Sequence, residues 1–97
     1  MRITIEDLRR RRPALLATAA RWGAHHLRVF GSVARGSSGD ASDVDVIARF
    51  DADRSLLDLG GLKADLEEIL GCPVDVLSEA GLRPDFRAAI FREAIEL

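Results

Sequence analysis

The sequence predicts a small α/β fold, in which short strands alternate with helices around one polar motif. Three observations predict it. Residues 43–50 ("DVDVIARF") open with aspartate alternating with valine, the period of a strand, and continue into an apolar run. Residues 5–22 and 55–70 instead repeat their apolar positions every three or four residues, the period of a helix. The length, 97 residues, buries roughly two-thirds of the unfolded surface, enough for one core without staples. No repeat or long linker divides the chain, so residues 1–97 are expected to form a single domain.

The elements follow in order. Thr4 with Asp7 forms a capping-box pattern that opens a helix through "IEDLRRRRPALLATAARW". Leu8, Leu15, Leu16, Ala19 and Ala20 give it an apolar face, and Gly23 is a good stop. Pro13 lacks an N–H and crowds the carbonyl four residues back, so a kink or a second helical start is expected there. "HLRVF", residues 26–30, reads as the first strand and runs into Gly31. In the second strand, residues 43–50, Val44, Val46 and Ala48 share one face while Asp43, Asp45 and Ile47 share the other. Ser55 with Asp58 caps a helix that ends at Leu70 before Gly71, with Leu59, Leu62, Leu66 and Ile69 at helical spacing. Gly60 and Gly61 mark either a break in it or a close approach by another backbone or a ligand. "PVDVL", residues 73–77, is a third strand, and Pro84 starts a last helix whose expected buried side is Phe86, Ala89, Ile90 and Ala94.

Composition narrows the class of function. Apolar residues make up 47% and charged residues 31%, an ordinary globular balance. No run is long enough to span a membrane or serve as a signal peptide, so a cytoplasmic protein without membrane contact is expected. The net charge of −2 hides a basic first part, +6 over residues 1–39, and an acidic remainder, −8 over residues 40–97. Direct nucleic-acid binding is therefore not expected. Arg9 to Arg12 cover every side of a helix and read as a solvated face, with an acidic partner or RNA as the alternative. Arg87, Arg92 and Glu93 offer another exposed surface, and His25 and His26 read as loop or surface residues. Cys72 is the lone cysteine, which excludes an internal disulfide and reads as a small half-buried hydrophobe. A small sheet with an open edge fits a homo-oligomer or a heterocomplex.

The motif is "GSVARGSSGDASDVDV", residues 31–46. Gly31 lets the backbone approach a phosphate, and the Ser32 hydroxyl adds a donor; a helix cap is the plainer alternative. Asp43 and Asp45 lie about 7 Å apart along one strand face, where their repulsion calls for a cation. Mg²⁺ suits them because it binds through one or two carboxylates and substrate phosphates. Asp75, framed by Val74 and Val76, offers a third carboxylate from the next strand. Three such groups facing one point would support two metal ions about 4 Å apart. Arg35 follows Ser32 by three residues; it either reaches a triphosphate or pairs with an acid such as Asp40 to hold the loop. Ser42 is placed to orient the aspartate strand.

Gly31-Ser32 followed after ten residues by Asp43-Val44-Asp45 resembles the signature of the DNA polymerase beta nucleotidyltransferase superfamily. The fuller "GSVARG…SDVDV", with "RSLLDLGGLKADLEEILG", "PVDVL" and "FREAIEL", is similar to its minimal nucleotidyltransferases, the MNT-type antitoxins. That resemblance implies the nucleotidyltransferase fold, a small mixed sheet of about three strands packed with about four helices. It implies that Asp43, Asp45 and Asp75 are catalytic and hold two Mg²⁺ ions, and that Gly31 and Ser32 bind the nucleotide phosphates; Arg35, from its place near Ser32, is the further nucleotide-binding candidate. ATP is the implied substrate, and the implied acceptor is a tyrosine hydroxyl of a HEPN-domain toxin. Two other functions remain: an antitoxin that neutralises by binding alone, and a small-molecule nucleotidyltransferase. The intact acidic set argues against the first. The lack of a second helical domain within these 97 residues argues against the second.

Overall fold

The computed structural model describes residues 3–37 and 43–97. Among them are α1 (Ile5–Arg10), α2 (Arg12–Arg21), β1 (Ala24–Phe30), α3 (Gly31–Arg35), β2 (Val44–Phe50), α4 (Leu56–Leu70), β3 (Val74–Ser78), α5 (Pro84–Glu93) and β4 (Ile95–Glu96). A 3₁₀ turn, Glu79–Gly81, joins β3 to α5.

Local chemistry explains most boundaries. The Thr4–Asp7 capping box closes reciprocally, the Asp7 amide donating to Thr4 Oγ1 at 3.2 Å and the Thr4 amide to Asp7 Oδ2 at 2.9 Å. Pro13 splits the first helical stretch into α1 and α2 and sits in the first turn of α2, where its missing N–H costs nothing. Ser55 and Asp58 form the second box. Gly71 ends α4 in the left-handed conformation, φ +70°. Gly60 and Gly61 do not break α4. Gly61 instead makes room for the Trp22 ring, whose Nε1 donates to Asp65 Oδ2 at 2.8 Å.

The sheet has four strands in the order β3-β2-β1-β4. The sequence predicts about three; the fourth is the two-residue β4, too short for any periodicity to reveal. β1 runs antiparallel to β2 and to β4, and β2 runs parallel to β3, with α4 as the crossover. The core lies between one sheet face and α1, α2 and α4. Leu8, Leu15, Leu27, Leu62 and Leu66 fill it with Val29, Val44, Val46 and Val74. The predicted facing of β2 holds: Val44, Val46 and Ala48 enter this core, leaving the face of Asp45 and Ile47 opposite.

The 3₁₀ turn and α5 lie against that opposite face, where Ile47 and Ile90 are buried outside the main core. The buried Glu79 carboxylate is held there by Arg28 at 3.1 Å and Arg49 at 3.6 Å, and Arg28 stacks on Phe91. The expected buried side of α5 is corrected. Ile90 is buried and Ala94 half-buried, but Ala89 is exposed and Phe86 is 54% exposed. Only the last turns of α5 reach the sheet, so its first turns border an open groove of about 570 Å³ with Leu82 and Arg83. None of the predicted site residues lines that groove. Among the described residues, no helix is long and apolar enough to cross a membrane.

Candidate active site

The site is assembled where β1 passes into α3, beside the start of β2 and β3. Phe30, the last residue of β1, pairs with Asp45, so Gly31 enters α3 directly against that aspartate. Gly31 has φ +74°, and a Cβ on it would run into the Asp45 carboxylate. Glycine is required there twice over, for the backbone conformation and for the space. Gly36 closes the five-residue α3 in the left-handed conformation, φ +73°. The Ser37 amide donates to the Ser32 carbonyl at 3.0 Å, tightening the turn further.

The parallel register brings Asp45 and Asp75 side by side. Residues paired across a parallel ladder project to the same face, so the two carboxylates meet. Burial raises the Asp45 pKa above the ordinary carboxylate value, and Asp75 adds to this by its charge and by a side-chain hydrogen bond. Asp43 pushes in the same direction more weakly, and Arg35 opposes it. Asp43 is exposed and precedes the first residue of β2. No three His, Cys, Asp or Glu side chains among the described residues converge closely enough to hold an ion together. The convergent unit is thus the pair Asp45 and Asp75, with Asp43 beside it.

The Mg²⁺ that the resemblance implies fits this pair. Two repelling carboxylates on neighbouring strands form a hard-oxygen donor set, and Mg²⁺ completes its shell with water and phosphate rather than a full protein cage.

Arg35 pairs with an acid, as one of its two expected roles requires, but the partner is Glu93 of α5, at 3.1 Å from Nη1 to Oε2. Asp40 and Ser42 lie outside the described residues. Glu93 also accepts the Gly31 N–H at 3.1 Å, and this bond, followed by Arg35, lowers its pKa. Sequence reasoning treats Glu93 only as part of an exposed surface. One signal was available: an acid in the last turn of a helix opposes the helix dipole and so implies a specific partner. Cys72 is half-buried, and burial, then Asp43 and Glu67, raise its thiol pKa, which suits the expected role of a small hydrophobe. His25 bonds Asp51 at 2.8 Å at the surface. In the arginine run, Arg9 pairs with Glu6, Arg10 with Asp7, and Arg11 Nη1 donates to the Ile69 carbonyl. The first two are exposed local pairs and the third reaches the end of α4, while all four arginines stay exposed, as expected of a solvated face.

Residues 14–97 match the family described as "Nucleotidyltransferase domain". The chain is 34% identical over 95 residues to a protein of Methanocaldococcus jannaschii provisionally named a protein adenylyltransferase, covering 98% of this chain and 99% of that one. It is 35% identical over 75 residues to protein adenylyltransferase MntA of Thermococcus cleftensis, covering 77% and 76%. A solved structure provisionally described as a minimal nucleotidyltransferase superposes with a TM-score of 0.88 at 49% identity, covering 98% of this chain and 97% of that one. A toxin–antitoxin crystal structure with AMP-PNP shares the fold, with a TM-score of 0.75 at 14% identity over 87% of this chain and 69% of that one.

Proposed function

The chain belongs to the nucleotidyltransferase domain family, and from that premise we propose that it moves AMP from ATP onto a hydroxyl of a partner protein, as the antitoxin of a toxin–antitoxin pair. It is an enzyme of the nucleotidyltransferase class. The observation that carries the finer reading is the in-register pair Asp45 and Asp75 beside the tight glycine turn at Gly31. The cytoplasm is its proposed compartment, and a HEPN-domain toxin its proposed partner.

In the proposed reaction the acceptor oxygen forms a bond to the α-phosphorus of ATP. The bond from that phosphorus to the bridging oxygen breaks, pyrophosphate leaves, and the hydroxyl proton passes to a base. Asp45 and Asp75, with Asp43 nearby, would hold Mg²⁺, which would supply charge neutralisation for the triphosphate and acidify the acceptor hydroxyl. Asp75 is the exposed member of the pair and is open to an incoming acceptor, so it can orient the hydroxyl and take its proton. Asp45 lies deeper, between Gly31 and Asp75, and fixes the other side of the reacting phosphate. Gly31 and Ser32 let the phosphates approach the backbone closely. Arg35 stands near enough to Asp45 to act on its charge and so stands near the same phosphates.

Support for a protein acceptor comes from relatives named protein adenylyltransferases. Support for the toxin partner and for ATP comes from a shared fold with a toxin–antitoxin complex containing AMP-PNP. The test is to incubate the protein with Mg²⁺, ATP and the product of the adjacent gene, then weigh that neighbour intact. An AMP-sized gain that vanishes with Asp43→Asn/Asp45→Asn supports the proposal. No gain, with the neighbour silenced equally by wild type and double mutant, would replace it with neutralisation by binding alone.

A further inference from the structure

We propose that Glu93 is a positioning residue of the nucleotide site, tying both ends of α3 to the end of α5 beside Asp45. The proposal rests on the nucleotidyl-transfer reading above and adds a residue to it.

Strand register brings Glu93 to this position. In the β1–β4 ladder Arg28 faces Glu96 and Val29 faces Ile95. Each step forward along β1 is one step back along the antiparallel partner. Two steps beyond Val29 therefore set Gly31 opposite Glu93, although neither residue lies in a strand. There Glu93 Oε1 accepts the Gly31 N–H at 3.1 Å, and Arg35 Nη1 donates to both carboxylate oxygens, each at 3.1 Å. One side chain thus grips the first amide and the last side chain of α3.

The consequence for the site is geometric. Gly31 abuts the Asp45 carboxylate so closely that no side chain fits between them. Any drift of the turn changes the space beside Asp45. Arg35 is a long exposed side chain with many rotamers, and Glu93 orders it through one nitrogen of a guanidinium that carries five N–H donors. Without Glu93, nucleotide binding itself would have to order the turn and the arginine, and affinity would fall by that cost. The C-terminal residues reinforce this arrangement. There β4 pairs with β1, and the Leu97 amide donates to the Leu27 carbonyl at 3.0 Å. They hold α5 where Glu93 can reach.

The opposite arrangement, with Glu93 as a stand-in anion that a phosphate must displace, predicts the opposite sign. Titration calorimetry with Mg²⁺ and AMP-PNP on wild type, Glu93→Ala and Glu93→Gln separates them, with thermal melts as folding controls. Glu93→Ala should weaken the analogue about tenfold, the scale of one lost charge-assisted hydrogen bond. Glu93→Gln keeps an oxygen for the Gly31 amide and should recover to within about threefold of wild type. In transfer assays the alanine variant should raise KM for ATP more than it lowers kcat. Unchanged or tighter binding by Glu93→Ala would overturn the proposal. So would equal losses in both variants accompanied by equal drops in melting temperature, which would mark a general structural role. If wild type binds no Mg²⁺-AMP-PNP, the nucleotidyl-transfer reading itself falls, and the role of Glu93 with it.

Discussion

Asp45→Asn should make the protein more stable and inactive at once. Asp45 stands in register with Asp75, and burial and the charge of that neighbour raise its pKa. The native state therefore holds the Asp45 proton more tightly than the unfolded chain does. Above the unfolded value, near 3.8, the native state binds more protons than the unfolded state, so stability falls as pH rises. The loss is complete once pH passes the native pKa, so at pH 7 the ionised pair strains the fold. Two charges on strands about 4.8 Å apart interact with about 3 kcal/mol at an effective dielectric of 20. Asp75 is exposed, and solvent screening brings this to about 1 kcal/mol. In a domain of this size 1 kcal/mol shifts Tm by roughly 4–8 °C. Melts by circular dichroism at pH 7 without divalent ions should show Asp45→Asn higher by about that amount, and the gap should close near pH 3. Added Mg²⁺ should raise the melting temperature of wild type and not of the variant. A variant that melts at or below wild type at pH 7, or gains as much from Mg²⁺, would refute the claim that the pair is strained and cation-seeking.

Gly31→Ala should lose about 1–2 kcal/mol for the left-handed backbone alone, and more because its Cβ meets Asp45; urea midpoints measure the loss. Transfer should disappear even under conditions where that variant is folded. Gly60→Ala should raise stability by about 0.5–1 kcal/mol, because nothing lies within reach of an added methyl in mid-helix. Gly61→Ala, one residue on, should instead destabilise by about 1–3 kcal/mol, because the methyl meets the Trp22 ring; equal melting temperatures for the two variants would contradict this. Leu62→Ala should cost roughly 2–5 kcal/mol in chemical denaturation, because Leu62 is fully buried in the core.

Much of the fold was legible because its punctuation is local. Thr4 with Asp7 and Ser55 with Asp58 close their capping boxes within four residues, and Pro13 acts on its own turn. The alternation of β2 tells which side Asp45 takes without reference to any neighbour. Phe86 and Ala89 defeat the same reasoning for the complementary reason. Helical spacing shows which residues share a face, but not whether a sheet lies beneath each turn of it. Only the last turns of α5 have one.

The site divides in the same way. The Gly31-Ser32 and Asp43-Val44-Asp45 spacing, and Asp75 between two valines, are properties of short stretches of chain, and the sequence alone determined them. It also left Arg35 with two possible roles, because a side chain that can reach several groups is assigned only by what folds up beside it. The tertiary structure decided that Asp45 stands level with Asp75, that Trp22 occupies the space Gly61 leaves, and that Glu93 closes on Gly31 and Arg35. Those three contacts join residues 30 to 62 positions apart. Strand register and helix docking set such distances by burying the whole apolar surface at once, and no local pattern encodes that balance.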